Sequence, residues 1–159
     1  MSVVKTHRVT YPLAQKVRRG PRIGVAMAIT RAEAAVAGMR DRLLSQVDEQ
    51  IAAAELALQE HSSNGSDAAL AQLADCGEQL IGISGACGLP ALADAALGLC
   101  DLLDWMQQSS RFQAQALAVH VAALRLLRAK EDAGAARHVL DGLARVRARV
   151  VDGPDHVAS

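Results

Sequence analysis

Residues Glu78–Pro90 read E-Q-L-I-G-I-S-G-A-C-G-L-P. They set three glycines, Gly82, Gly85 and Gly88, inside or at the end of a segment that otherwise has helical spacing. A glycine in the middle of a helix costs about 1 kcal/mol relative to alanine, because the chain gives up more backbone freedom and packs no side chain. A sequence keeps such residues most readily where something must come close to the backbone. Glu78, Ile81, Gly82 and Gly85 are spaced i, i+3, i+4, i+7 and therefore share one helix face. That face is a carboxylate beside a nearly bare stripe of backbone, the makings of a docking surface.

The residues around it predict an all-α chain. Hydrophobic residues make up 51% of the sequence, enough for a real core, and alanine and leucine dominate them, with one Trp, one Tyr and one Phe. These are strong helix formers, and alternating β-branched runs that would support strands are scarce. At 159 residues the length fits one domain. Residues 1–29 hold Pro12, Pro21 and an acid-free basic run (Lys5, Arg8, Lys16, Arg18, Arg19, Arg22) and read as a flexible N-terminal arm. Thr30 and Glu33 form a T-x-x-E capping box that predicts a first helix over 31–60, with Leu44, Val47, Ile51, Ala54 and Leu58 as its apolar seam. After the break His61–Gly65, Ser66 is a good N-cap for a second helix with the seam Leu70, Leu73, Gly77, Leu80 and Ser84, closed by Gly88. Pro90 suits the first turn of a third helix to about Gln107, with the seam Leu92, Ala96, Leu99, Leu103 and Met106. A fourth helix is expected over 112–129 (Leu117, His120, Leu124, Leu127). A fifth runs from the joint Glu131–Gly134 to Val151 (Val139, Leu143, Val146, Val150), and 152–159 is a C-terminal tail. Short joints between amphipathic helices imply antiparallel neighbours, so the expected architecture over 30–151 is an up-down four-helix bundle with an additional C-terminal helix.

The glycine segment resembles the phosphoacceptor helix of histidine-containing phosphotransfer (HPt) domains, whose pattern is H-x-L-K-G-x-[SA]-x-x-x-G, often followed by L-P. Leu80, Gly82, Ser84, Gly88, Leu89 and Pro90 match that pattern as they stand. The family's phosphoacceptor histidine falls on Glu78 and its lysine on Ile81. The resemblance implies a bundle that receives a response-regulator receiver domain on this helix, with a glycine at position 82 leaving room for it. Without an imidazole at 78 or a cation at 81, it implies a degenerate, pseudo-HPt member that docks without transferring phosphate. Phosphoryl transfer is mostly positioning and charge stabilisation, and a glutamate supplies neither the nucleophile nor a phosphohistidine-like charge. The expected partner-docking residues are Glu78, Ile81, Gly82 and Gly85. The expected partners are a receiver domain or histidine kinase of bacterial two-component signalling, and no catalytic residue is assigned.

Other readings stand beside this one. The glycine face also suits self-association of a structural bundle into a homodimer. An active phosphotransfer protein would need another histidine, yet His7 and His156 lie in the tails, His61 in a loop, His120 on a leucine seam and His138 on the last, basic-sided helix, none in a glycine-rich context. Cys76, Cys87 and Cys100 show no metal-type spacing, and H-E-x-x-H and G-K-[ST] motifs are missing, so neither a metal nor another cofactor is expected. The thiols read as reduced and buried in a cytoplasmic protein. A formal net charge of zero argues against a general nucleic-acid binder. The basic residues near both ends read as solvated, with an anionic partner or membrane surface as the sharper alternative. No apolar run reaches the ~18 residues of a membrane span. The N-terminus lacks the apolar core of a secretory signal, although its composition leaves a transit peptide open.

Overall fold

The structure, a computed structural model, describes residues 24–129 and 132–153. Five helices make up nearly all of them: α1 (Val25–Asn64), α2 (Asp67–Ala86), α3 (Pro90–Ser109), α4 (Ala114–Ala129) and α5 (Ala133–Val151). No strand occurs among the described residues, and the all-α expectation is met. The chain divides into two compact units, Met1–Ala37 and Gly38–Ser159. In the first, residues 25–37 are helical and every side chain described is exposed. The second holds the hydrophobic core.

The helix ends show which local signals decide. Ser66 caps α2, its Oγ accepting from the Ala69 N–H at 3.2 Å. Past the last turn of α2, Gly88 takes φ +73°. The Leu89 N–H donates to the Ser84 carbonyl at 2.9 Å and the Gly88 N–H to the Gly85 carbonyl at 3.2 Å. That bond pair is a Schellman ending, which needs a left-handed residue and so favours glycine there. Pro90 opens α3 one residue later. Asp132 caps α5 by accepting from the Gly134 N–H at 2.9 Å. The Thr30–Glu33 capping box does not start α1. The helix begins at Val25, and the Thr30 hydroxyl instead donates back to the Ala26 carbonyl at 3.1 Å. The alanine-rich run upstream has no residue that breaks a helix, and a threonine inside a helix can satisfy its hydroxyl in this way. Residues 25–29 therefore belong to α1; the rest of the expected arm, residues 1–23, lies outside the described residues, as do 154–159 of the tail. The same helix overruns its expected end at Glu60. Ser62 and Ser63 bond back to Leu58 and Gln59, and the break waits for Gly65 at φ +69°.

Packing follows the seams. Leu73, Gly77, Leu80 and Ser84 of α2 are buried, as are Leu92, Ala96, Leu99, Leu103 and Met106 of α3 and Leu117, His120, Leu124 and Leu127 of α4. Full burial of a leucine side chain contributes roughly 1.5–3 kcal/mol. Helix α3 packs against α2, α4 and α5, and α5 also against α4. Helix α5 sits shallower than its stripe suggests: Leu143 is buried, while Val139, Val146 and Val150 are half-buried. Two ion pairs, Glu55–Arg125 and Asp48–Arg128, tie α1 to α4. Position rises along α1 as it falls along α4, so these two helices run antiparallel.

Helix α2 meets α3 closely at Gly77. A Cβ added there would lie 2.6 Å from Cys100 Sγ and 3.8 Å from the Ala96 carbonyl oxygen. Gly82, in contrast, has open space where its Cβ would be. Substituting Gly77→Val should therefore destabilise the fold by about 1–3 kcal/mol through overpacking, and Cys100→Ala in the same chain should recover part of the loss. Gly82→Ala should stabilise it by about 0.5–1 kcal/mol through helix propensity alone. Urea denaturation of the variants measures all of these, and opposite signs at the two glycines are the expected result.

Candidate docking face on helix α2

Burial of Leu73, Gly77, Leu80 and Ser84 against α3 and the core fixes the rotation of α2, and what remains outside follows from helical geometry. Glu78, Gly82 and Gly85 are exposed. Ile81 is half-buried, one side packed on the core and the other available at the surface. An added Cβ at Gly82 or at Gly85 would meet nothing within 4 Å. The structure thus brings all four expected residues onto one accessible face. Gly88 serves a different purpose, since its left-handed backbone ends the helix. Ser84, in the small-residue position of the segment, has its hydroxyl buried without a hydrogen-bond partner. It belongs to the packing seam and is closed to chemistry at the surface.

Glu78 shares one electrostatic neighbour, Cys100, with two carboxylates of α3. The Cys100 thiol is pushed up to about 11, first by burial and then by the charges of Glu78, Asp104 and Asp101. Three carboxylates from two helices therefore act on one point. The hairpin sets this up, because the 77–100 contact carries the next residue of each helix, Glu78 and Asp101, into the same region. Sequence reasoning missed Asp101 and Asp104; their signal was present only as the polar stripe opposite the α3 seam. Asp101 also accepts from Arg147 Nη1 of α5 at 2.6 Å, which ties part of this charge to the bundle. A thiol held in its neutral form is a poor nucleophile, and all three cysteines are free.

The histidines are placed apart from this face. His120 is 1% exposed, and its Nδ1–H donates to the Ala116 carbonyl at 2.8 Å. Its other edge borders a cleft of about 290 Å³ between α3, α4 and α5, lined also by Asp94, Gly98, Asp141 and Arg147. His61 bonds the Ser66 carbonyl at 2.9 Å and packs against Phe112, the two rings tilted by 54°. His138 is exposed on α5 and bonds the Gly134 carbonyl at 2.9 Å. His7 and His156 lie outside the described residues. No group of three or more His, Cys, Asp or Glu side chains among the described residues is arranged to hold a metal ion, and no helix there is long and apolar enough to cross a membrane.

No protein-family model, curated protein or solved structure matches this chain. The reading of the α2 face therefore rests on its own geometry and on the residues of the glycine segment.

Burial lowers the pKa of His120 from its ordinary value, and the nearby Arg147 guanidinium acts in the same direction against the opposing Ala116 hydrogen bond. The unfolded chain then binds a proton that the native chain refuses. The stability this provides is complete above about pH 6.5 and declines as pH falls below it, until the native pKa is reached. The loss from this one group should not exceed about 1.4 kcal/mol per pH unit. His120→Leu should flatten the decline, as read from urea denaturation midpoints between neutral and mildly acidic pH.

Proposed function

We propose that this chain is a pseudo-HPt interaction module of bacterial two-component signalling. In this reading α1–α4 form the up-down bundle and α5 is the additional helix. The α2 face binds a receiver domain, or competes with a true HPt domain for one, and carries no phosphoryl group itself. The observation that supports it most is the open space over Gly82 and Gly85 next to a firmly seated Ile81. A partner can lay a helix or loop against bare backbone there and bury the outer side of an isoleucine whose inner side is already fixed. Preorganised contacts of this kind lose little entropy on binding.

The charges favour docking over transfer. Where the family places an imidazole and a cation, this face offers a carboxylate and an isoleucine. A phosphoryl group brought there meets negative charge and no nucleophile, whereas a cationic or apolar partner surface is unaffected or attracted. Buried His120 cannot reach a docked partner to take over the imidazole's role. A receiver domain or its histidine kinase, met in the cytoplasm, is the partner this reading names.

Gly82→Arg fills the open space with a long cation and should weaken binding to a cognate receiver at least tenfold, equivalent to about 1.4 kcal/mol, without loss of helical signal. Titration calorimetry against candidate receivers measures it. Binding that survives the arginine would remove the docking face from this surface. Radiolabel from a phosphorylated receiver should not appear on the wild-type chain, and acid-labile label on it would replace the proposal with an active phosphotransfer protein.

A further inference from the structure

The cleft of about 290 Å³ between α3, α4 and α5 holds a polar group that the fold itself does not satisfy. The His120 ring is 1% exposed. Its Nδ1–H donates to the Ala116 carbonyl at 2.8 Å, so in the neutral ring Nε2 carries a lone pair. Burial and the Arg147 guanidinium favour that neutral ring. Nε2 has no hydrogen-bond partner among the described residues, and a buried acceptor left unpaired is costly. It faces Gly98 of α3 on the wall of the cleft. A Cβ added at Gly98 would lie 3.8 Å from Arg147 Nη1 and 4.0 Å from His120 Nε2. The bare backbone thus leaves a small space bordered by one acceptor, Nε2, and one donor, Nη1.

A hydroxyl suits this space, because its O–H donates to Nε2 while its oxygen accepts from Nη1. The rest of the cleft indicates what the hydroxyl is attached to. Asp94 and Asp141 line it about two turns before Asp101 and Arg147, the ion pair that joins α3 to α5. Two carboxylates therefore stand toward one end, and the charge of Arg147 is already balanced by Asp101. Negative charge is in excess among the lining residues, which favours a cation and disfavours a further anion. Asp94 precedes Gly98 by one turn, about 6 Å along the helix, and Ala95, Leu140 and Leu143 give the cleft an apolar wall. We propose that this cleft binds a small amino alcohol, its hydroxyl seated over Gly98 between His120 Nε2 and Arg147 Nη1, its ammonium at Asp94 and Asp141, and its short carbon chain along the apolar wall. All of these residues belong to the unit Gly38–Ser159, and the proposal is independent of the docking reading, which concerns α2.

Titration of the full chain, followed by nuclear magnetic resonance, tests it with a five-carbon amino alcohol as probe, ammonium and hydroxyl at opposite ends. Saturable shifts at the Gly98 amide and the His120 ring are expected, with a dissociation constant in the millimolar range, as suits a ligand of so few atoms. Pentylamine, which lacks the hydroxyl, and pentanol, which lacks the ammonium, should each bind roughly tenfold more weakly. Hydroxypentanoate, with a carboxylate where the probe has its ammonium, should not bind. Gly98→Ala sets a methyl in the hydroxyl's seat at ordinary contact distances. That variant should keep or raise its urea midpoint while losing roughly tenfold in affinity. Asp94→Asn and Asp141→Asn, both at exposed positions, should each weaken the amino alcohol and leave pentanol as it was. The absence of saturable shifts at Gly98 and His120 overturns the proposal, as does pentanol or hydroxypentanoate binding as tightly as the amino alcohol. Binding that Gly98→Ala leaves unchanged in a folded chain overturns it too.

Discussion

The contact on which the arrangement of this molecule turns is the close approach of α2 and α3 at Gly77. A Cβ there would lie 2.6 Å from Cys100 Sγ and 3.8 Å from the Ala96 carbonyl oxygen, so the bare backbone of Gly77 is what leaves the Cys100 side chain its place between the two helices. The contact sets the register of the hairpin and the rotation of α2 at once. With Gly77 turned inward, Leu73, Leu80 and Ser84 follow it, and Glu78, Gly82 and Gly85 are carried to the outside. The glycines of α2 thus do three different things. Gly77 admits a neighbour within the chain, Gly82 and Gly85 leave bare backbone at the surface, and Gly88 supplies the left-handed residue that lets α3 begin at Pro90.

Much of this was legible before any coordinates, and the reason is periodicity. Seams in which leucines and alanines recur at alternating three and four positions can bury only one face of a helix, and the inward residues of α2, α3 and α4 fell where that rule put them. Single-residue signals succeeded where the chemistry left no substitute: Ser66 as a cap, Gly88 as a terminator. The Thr30 signal failed because it had a substitute. A threonine hydroxyl finds a partner in the preceding turn as readily as at a helix start, and nothing in the alanine run before it stops the helix. The shallow seating of α5 was illegible for another reason. Val139, Val146 and Val150 are spaced like core residues, but how deeply a stripe sinks depends on the helices already beneath it. The company of Glu78 was hidden in the same way, since Asp101 and Asp104 lie more than twenty positions away and only the hairpin register at 77–100 brings their charges to bear.

Polar groups around α3 are distributed so that burial and charge reinforce one another. On one side, Cys100 is kept as a neutral thiol by desolvation and three carboxylates. On the other, His120 is kept as a neutral ring by desolvation and the Arg147 guanidinium. Arg147 serves both sides, because it also binds Asp101. Titratable side chains of this chain's middle layer are thereby held in their uncharged forms at neutral pH, which suits packing.

The α2 face has no complement among the described residues, and its shape limits what can fill it. The α2 face is a recess in side-chain terms: two adjacent turns present backbone, with one isoleucine as the raised point. It accepts protruding groups from a partner and has few of its own to offer, so two copies of it would bring recess against recess. In the proposed reading the complement of the α2 face is therefore a different protein, whose protruding side chains fill the space over Gly82 and Gly85.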